Sequence, residues 1–282
     1  MPLPEGFDTD AFVRQVFAED LGTGGDVTSK ATIDPAARFT AEMNARQEIV
    51  VAGLEIAAAF FRALDAEIHI EQLAKDGDRV PHGTTVMRLA GNAQAMLAAE
   101  RSALNTLQHL SGVATLTRRY VDAIAGTGAV LLDTRKTLPG LRVLEKYAAR
   151  MGGAENHRMR LDDGVLIKDN HVAVCGGVAE AVRRAKSANT GLQVQVEVDR
   201  IDQIEPALAA GGDRLLLDNM DPAMLREAVA LVRGRVPLEA SGGVTLETIR
   251  FLAETGVNYI SVGRITQSAP AVDIGLDYAL SR

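Results

Sequence analysis

The sequence has no tryptophan, only four tyrosines, and a single cysteine, Cys175, among 282 residues. One cysteine closes no intrachain disulfide and builds no cysteine-based zinc site, so a reducing, cytoplasmic setting is expected. Acidic residues outnumber basic ones, 37 to 30, for a formal charge of −7. A nucleic-acid surface needs a basic stripe and usually stacking aromatics, so no nucleic-acid partner is expected. No apolar run approaches the roughly 20 residues that span a bilayer, and the start, MPLPEGFDTDAF, has no basic segment ahead of an apolar one. Neither a membrane partner nor secretion is expected. Low-complexity segments are missing, and so is any repeat beyond a coarse strand-helix unit, which excludes a solenoid. What is present is 47% hydrophobic side chains, enough for one large or two medium cores.

The cations are unevenly spread. Arg135, Lys136, His157, Arg158, Lys168 and His171 fall within about forty residues, mostly beside short apolar runs that read as buried strands. An acidic chain that gathers cations at strand ends focuses positive potential locally. The ligand to expect is a small polyanion, phosphorylated or polycarboxylic.

From about Ala129 onward, β-rich runs recur: Val130 to Leu132, Val165 to Ile167, Val194 to Val198, Leu215 to Leu217, Pro237 to Ala240 and Tyr259 to Val262. Segments between them, such as Gly177 to Ala188 and Pro222 to Val232, space apolar residues at the helical period. This alternation predicts parallel strands joined by right-handed crossovers. Polar residues sit at or just past the strand C-termini: Asp133 with Arg135 and Lys136, Lys168, Glu197, Asp218, Glu239 with Ser241, and Gly263 with Arg264. Barrels of α/β type place active sites there. The first hundred residues read instead as short strands in 38–52 and 67–90, with turns at Gly53, Asp76-Gly77 and His82-Gly83, and helices over 54–64 and 95–110. The fold class is therefore α/β, an N-terminal α+β sandwich over residues 1–112 followed by an α/β barrel of parallel strands over 113–270. The boundary is expected in or near the helix that carries Arg101 and runs toward Gly112.

The late loops Ser241-Gly242-Gly243 and Val262-Gly263-Arg264 suit a phosphate on backbone N–H groups, although tight turns alone would also use glycine. Glu197 and Asp218 end successive predicted strands and could accept from sugar hydroxyls or hold Mg2+. Pairing with Lys168 or Arg135 is the plainer alternative. Arg101, Arg135 and Arg158 offer planar forks for carboxylate or phosphate, with Lys136 and Lys168 as point charges beside a leaving group. For Arg101 alone, a solvated helix face is the competing reading. His157 and His171 have no metal-ligand spacing, and hydrogen bonding to substrate is the role expected of them. His69, His82 and His109 read as structural or exposed.

The run DTRKTLPGLRVLEKYA, then GGAENHR, LIKDNHV, VEVD, LLLDNM, EASGGV and YISVG, in that order, resembles the quinolinate phosphoribosyltransferase family. EDLGTGGDVTS, MNARQEIVVAG and ERSALNTLQHLSGVAT extend the similarity over nearly the whole chain. The resemblance implies an incomplete barrel, with the tail, 271–282, returning to the sandwich. It also implies a homodimer, with or without further assembly, whose active sites pair one subunit's barrel with the other's N-terminal domain. The implied reaction joins quinolinate to the ribose of phosphoribosyl diphosphate with Mg2+, releasing diphosphate and carbon dioxide. By motif, Arg101, Thr134, Arg135, Lys136, His157, Arg158 and Lys168 line the dicarboxylate and diphosphate region. Lys136, Lys168, Glu197 and Asp218 are the implied catalytic set, and Glu197 and Asp218 face the ribose and the metal, directly or through water. Ser241, Gly242, Gly243, Val262, Gly263 and Arg264 take the 5-phosphate. One departure stands out: after the last barrel strand many relatives carry a Thr-His pair, where this chain reads Thr266-Gln267. Three rivals remain at this point: a paralogue linked to molybdenum transport, a Schiff-base aldolase using Lys168, and a non-enzymatic anion-binding protein.

Overall fold

Asp8 and Asp26 each stand one residue ahead of a helix and accept the orphan N–H of its third residue, Ala11 (2.8 Å) and Ser29 (3.0 Å). These caps start α1 (Thr9–Asp20) and α2 (Val27–Thr32) in a computed structural model that describes Pro4 and residues 6–278. The chain continues through β1 (Arg38–Ala45), β2 (Ile49–Val50), α3 (Leu54–Leu64), β3 (His69–Gln72), β4 (Arg79–Val80), β5 (Thr85–Asn92) and α4 (Ala93–Ala123). Chain packing divides the protein into two units. One takes the chain up to Leu116, Val143–Gly152 and the tail from Ala269; the other takes Thr117–Arg142 and Gly153–Ser268.

The first unit has an antiparallel sheet in the order β12-β1-β5-β3, where β12 is Ile274–Tyr278. Ala41, Met43 and Ala45 alternate along β1 as its buried residues, the period that a half-buried strand requires. Arg46 and Asn44 both reach the Asp277 carboxylate, at 2.9 and 3.0 Å, and so hold the tail strand in register. The part of the tail expected to return here that lies beyond Tyr278, residues 279–282, is outside the described residues. Buried Phe60 on α3 meets Phe12 and Phe17 of α1 edge-on, with centroids 6.0 and 5.3 Å away.

Helix α3 begins at Gly53 (φ 101°), which has no side chain to cap it. Asp76, in the turn before β4, supplies the cap. Its carboxylate accepts from the N–H groups of Gly53 (2.8 Å) and Leu54 (3.1 Å) and from the buried Tyr147 hydroxyl (2.7 Å). Burial, followed by the bond to Asp76, raises the Tyr147 pKa, keeping the phenol a donor. Asp76→Ala is expected to cost about 2 kcal/mol, because two helix-end donors and one buried phenol lose their acceptor together. Urea unfolding measures this, and a loss below about 0.5 kcal/mol would contradict the assignment.

The sequence reading stops the next helix near Gly112, but α4 runs on to Ala123. Gly112 lies inside it because the tail crosses the helix there: an added Cβ would collide with the Pro270 carbonyl. Gln108 fixes that crossing by accepting from Val272 N–H (3.1 Å) and donating to Ile274 O (2.7 Å).

The remaining elements are β6 (Val130–Leu132), α5 (Arg142–Gly152), β7 (Val165–Ile167), α6 (Asp169–Cys175), α7 (Val178–Ser187), β8 (Val194–Val198), α8 (Ile204–Ala209), β9 (Arg214–Asp218), α9 (Pro222–Val232), β10 (Leu238–Ser241), α10 (Ile249–Ala253), β11 (Tyr259–Ser261) and α11 (Arg264–Gln267). The six strands β6 to β11 form one parallel sheet in the order β6-β11-β10-β9-β8-β7. That order is the chain order of a barrel opened between β6 and β7. The barrel is incomplete because β6 bridges the Glu155 backbone at this edge instead of β7. Helix α5, which the sequence reading did not place, belongs to the first unit apart from Arg142. There His109, expected to be structural or exposed, holds buried Glu145 at 2.8 Å.

Candidate active site

Alternation along the barrel strands sends every second side chain inward. Glu197 on β8, Leu216 and Asp218 on β9, Glu239 and Ser241 on β10, and Ser261 on β11 line one cavity of about 300 Å³. Thr134, Arg135 and Lys136 after β6, His157 and Arg158 after the Glu155 bridge, and Lys168 after β7 complete its walls. Of the residues expected for the dicarboxylate and diphosphate region, only Arg101 is elsewhere, exposed on α4 in the first unit.

The cationic wall is fixed from beneath by Asp133, which is wholly buried. Its two carboxylate oxygens accept from His157 N–H (2.8 Å) and Asn156 Nδ2 (2.5 Å). Arg158 Nη1 donates to Gly164 O at 2.9 Å. Burial, and then the neighbouring guanidinium of Arg135, push the Arg158 pKa down against the opposing pull of Asp163. Arg135 Nε is buried without a hydrogen-bond partner among the described residues. A half-buried guanidinium whose charge is disfavoured by burial and by a second one beside it favours a bound anion.

His157 has a fixed tautomer. Arg158 N–H donates to its Nδ1 at 2.8 Å, so the proton resides on Nε2, which faces Glu239 Oε2 at 3.5 Å. Glu239 is wholly buried and also accepts from Gln195 Nε2 and Arg214 Nη2, both at 2.7 Å. Burial alone would raise its pKa, but the His157 imidazole, Arg214 and the Ser261 hydroxyl together hold it below the usual carboxylate range. Arg214 in turn lies 3.9 Å over the Tyr259 ring. A charged layer thus floors the cavity. The sequence reading placed Glu239 at a strand end without giving it a site role; the available signal was an acid within the short strand Leu238–Ser241.

Glu197 faces Lys168, with Nζ to Oε2 at 3.5 Å, as the plainer reading of the sequence allows, and both remain on the cavity wall. His171, expected to bond substrate, is exposed and outside this wall. Its Nδ1 accepts Lys168 N–H at 2.9 Å and caps α6, which occupies its ring in positioning Lys168. Among the described residues no group of three or more His, Cys, Asp or Glu side chains is placed to hold a metal by itself.

A second cavity, of about 290 Å³, shares Thr134, Lys136, Ser241 and Ser261 with the first and is bordered by Gly242, Gly243, Val262, Gly263, Arg264 and Gln267. Gly263 leaves room for Lys136, since a Cβ there would meet Lys136 Cδ at 2.7 Å and push the lysine aside. The Lys136 carbonyl also accepts the Thr266 hydroxyl at 2.6 Å. Burial raises and neighbouring Arg264 lowers the Tyr120 phenol pKa, with the rise prevailing. The arrangement therefore offers a cationic pocket, two carboxylates at its mouth, and a glycine-edged pocket next to it.

Residues 26–111 match the family model "Quinolinate phosphoribosyl transferase, N-terminal domain", and residues 113–277 match its C-terminal counterpart. A relative described as a probable nicotinate-nucleotide pyrophosphorylase [carboxylating] of Bacillus subtilis is 42% identical over 95% of this chain and 93% of its own. A nicotinate-nucleotide pyrophosphorylase [carboxylating] of Mycobacterium leprae is 41% identical, covering 94% and 95%. The solved structure of the nicotinate-nucleotide pyrophosphorylase from Francisella tularensis superposes with a TM-score of 0.93 at 39% identity, over 99% of this chain and all of that one.

Proposed function

Because the chain belongs to the quinolinate phosphoribosyltransferase family, we propose how its cavity performs the family's reaction. The chain is a pentosyltransferase of de novo NAD biosynthesis: it transfers the phosphoribosyl group of phosphoribosyl diphosphate to quinolinate and releases carbon dioxide. The molybdenum-linked and non-enzymatic alternatives give way to that assignment. The aldolase alternative also lacks support, since Lys168 is half-exposed beside Glu197 rather than desolvated.

The observation that carries the proposal is the adjacency of the cationic pocket to the acidic pair and the glycine loops. Arg135 and Arg158, beside His157, take the two carboxylates of quinolinate, while Lys136 and Lys168 lie along the diphosphate. The loops Ser241 to Gly243 and Val262 to Arg264 take the 5-phosphate. As the pyridine nitrogen bonds to the anomeric carbon and the bond to diphosphate breaks, positive charge spreads over the ribose ring. Glu197 and Asp218 stabilise it. The ring nitrogen is then cationic and stabilises the electron pair left on the adjacent ring carbon when its carboxylate departs as carbon dioxide; a proton takes up that pair. Two carboxylates without a third protein ligand fit Mg2+, a hard ion that keeps waters and shares phosphate oxygens. Bound through Glu197 and Asp218, directly or by water, it would neutralise charge on the diphosphate.

We propose further that two chains form a homodimer in which Arg101 of each serves the other's cavity. Its exposed position outside its own cavity wall supports this. A cytoplasmic location is proposed on the lone cysteine; among the described residues no helix is long and apolar enough to cross a membrane.

Incubation with quinolinate, phosphoribosyl diphosphate and Mg2+ should give nicotinate mononucleotide by mass. Nicotinate lacks one carboxylate and leaves buried cations unmatched, so its kcat/KM should be lower by at least about 100-fold. Comparable use of the two acids would overturn the clamp.

A further inference from the structure

We propose that Asn219 is a positioning residue that locks the carboxylate of Asp218 to the glycine turn after β10, setting the ribose-facing acid and the phosphate-facing loop as one piece. The inference rests on the phosphoribosyl reading above. Asn219 is exposed just after β9 and holds a left-handed backbone, φ 54°, one of three non-glycine residues to do so among the described residues. Asparagine tolerates that conformation better than most residues. It keeps the parallel ladder going one step past the strand: its N–H donates to Ser241 O at 2.8 Å, beside the paired Asp218 and Ser241.

The side chain then does two things at once. Nδ2 donates to Asp218 Oδ2 at 2.6 Å, fixing the carboxylate plane and leaving Oδ1 without a protein hydrogen bond among the described residues. On its other side, Oδ1 of Asn219 fills the place where a Cβ on Gly242 would stand, so it packs directly against the backbone of that turn. Gly242 (φ 96°) and Gly243 (φ 60°) are both left-handed and border the second cavity. A shift of either the acid or the loop is therefore transmitted through one amide. Turn formation alone requires the left-handed backbone, but neither the bond to Asp218 nor contact with Gly242.

Two substitutions separate these roles. Asn219→Gly keeps the left-handed backbone without strain and removes only the amide. Asn219→Asp keeps shape and conformation but sets a carboxylate against Asp218. The amide's loss should raise the KM for phosphoribosyl diphosphate about tenfold, the usual effect of removing one hydrogen bond to a charged group, with the quinolinate KM within twofold. Asn219→Asp should raise it further. Binding of ribose 5-phosphate by calorimetry, which requires no turnover, should weaken in the same order. Thermal midpoints near wild type for Asn219→Gly show that the fold is intact. If both variants keep wild-type KM for phosphoribosyl diphosphate and wild-type ribose 5-phosphate affinity, or if both substrates' KM values rise together, Asn219 is only a turn residue. Failure of the wild-type protein to make nicotinate mononucleotide would instead overturn the function, while the calorimetric comparison still decides the role of Asn219.

Discussion

Glu197→Gln and Asp218→Asn are each expected to lower kcat by about two orders of magnitude while leaving the quinolinate dissociation constant within about threefold of wild type. Both changes preserve shape and remove charge. The two carboxylates end adjacent paired strands, β8 and β9, on the same cavity wall. Their proposed target is charge that exists only as the diphosphate leaves, and an interaction made only then appears in turnover rather than in binding of the acceptor. Glu197→Gln also frees Lys168 from its partner at 3.5 Å. That pair is partly exposed and contributes little to stability, so the variant should fold normally. Single-turnover rates together with quinolinate titration of each variant are the check. Equal weakening of quinolinate binding with unchanged turnover would remove the acids from the chemical step.

The second large effect concerns assembly. Arg101→Ala and Lys136→Ala proteins should each be nearly inactive, by at least about 100-fold, since a charged contact to a polyanionic substrate is missing from every site. In the proposed dimer a mixed pair has one site lacking both residues and one site complete. Random reassortment of equal amounts makes half the dimers mixed, which restores about a quarter of wild-type sites by the symmetry of an isologous pair. Co-expression with two different tags, followed by purification through both, isolates the mixed dimers, and activity is measured on them directly. Mixed dimers as inactive as the separate mutants would show that Arg101 does not serve the partner's cavity.

The strand-end chemistry was legible early for a simple reason. Barrel strands are short, apolar and bounded by the polar residues that face the mouth, so Lys168, Glu197, Asp218 and Ser241 mark their own positions in a linear text. His171 shows where the same logic fails. Lys168, three residues before it, is on the cavity wall, yet a backbone N–H at the start of α6 takes the His171 Nδ1. A local turn decides that, not the composition around it. Glu239 received no site role from the sequence, and Arg214, Gln195 and His157, from distant parts of the chain, make it the floor.

By itself the sequence determined the fold class, the family and the set of cations and acids, because periodicity, strand-end polarity and ordered motifs are all local along the chain. Tertiary structure alone decided which of those groups share a cavity, which tautomer His157 holds, how far α4 continues beyond Gly112, and that Asp76 caps a helix 22 residues upstream. The adjacent Arg158 N–H sets the tautomer, and the others are settled by contact between segments far apart in the chain. A collision with the Pro270 carbonyl, a backbone N–H at 2.8 Å or a buried countercharge leaves no periodic trace in the order of residues.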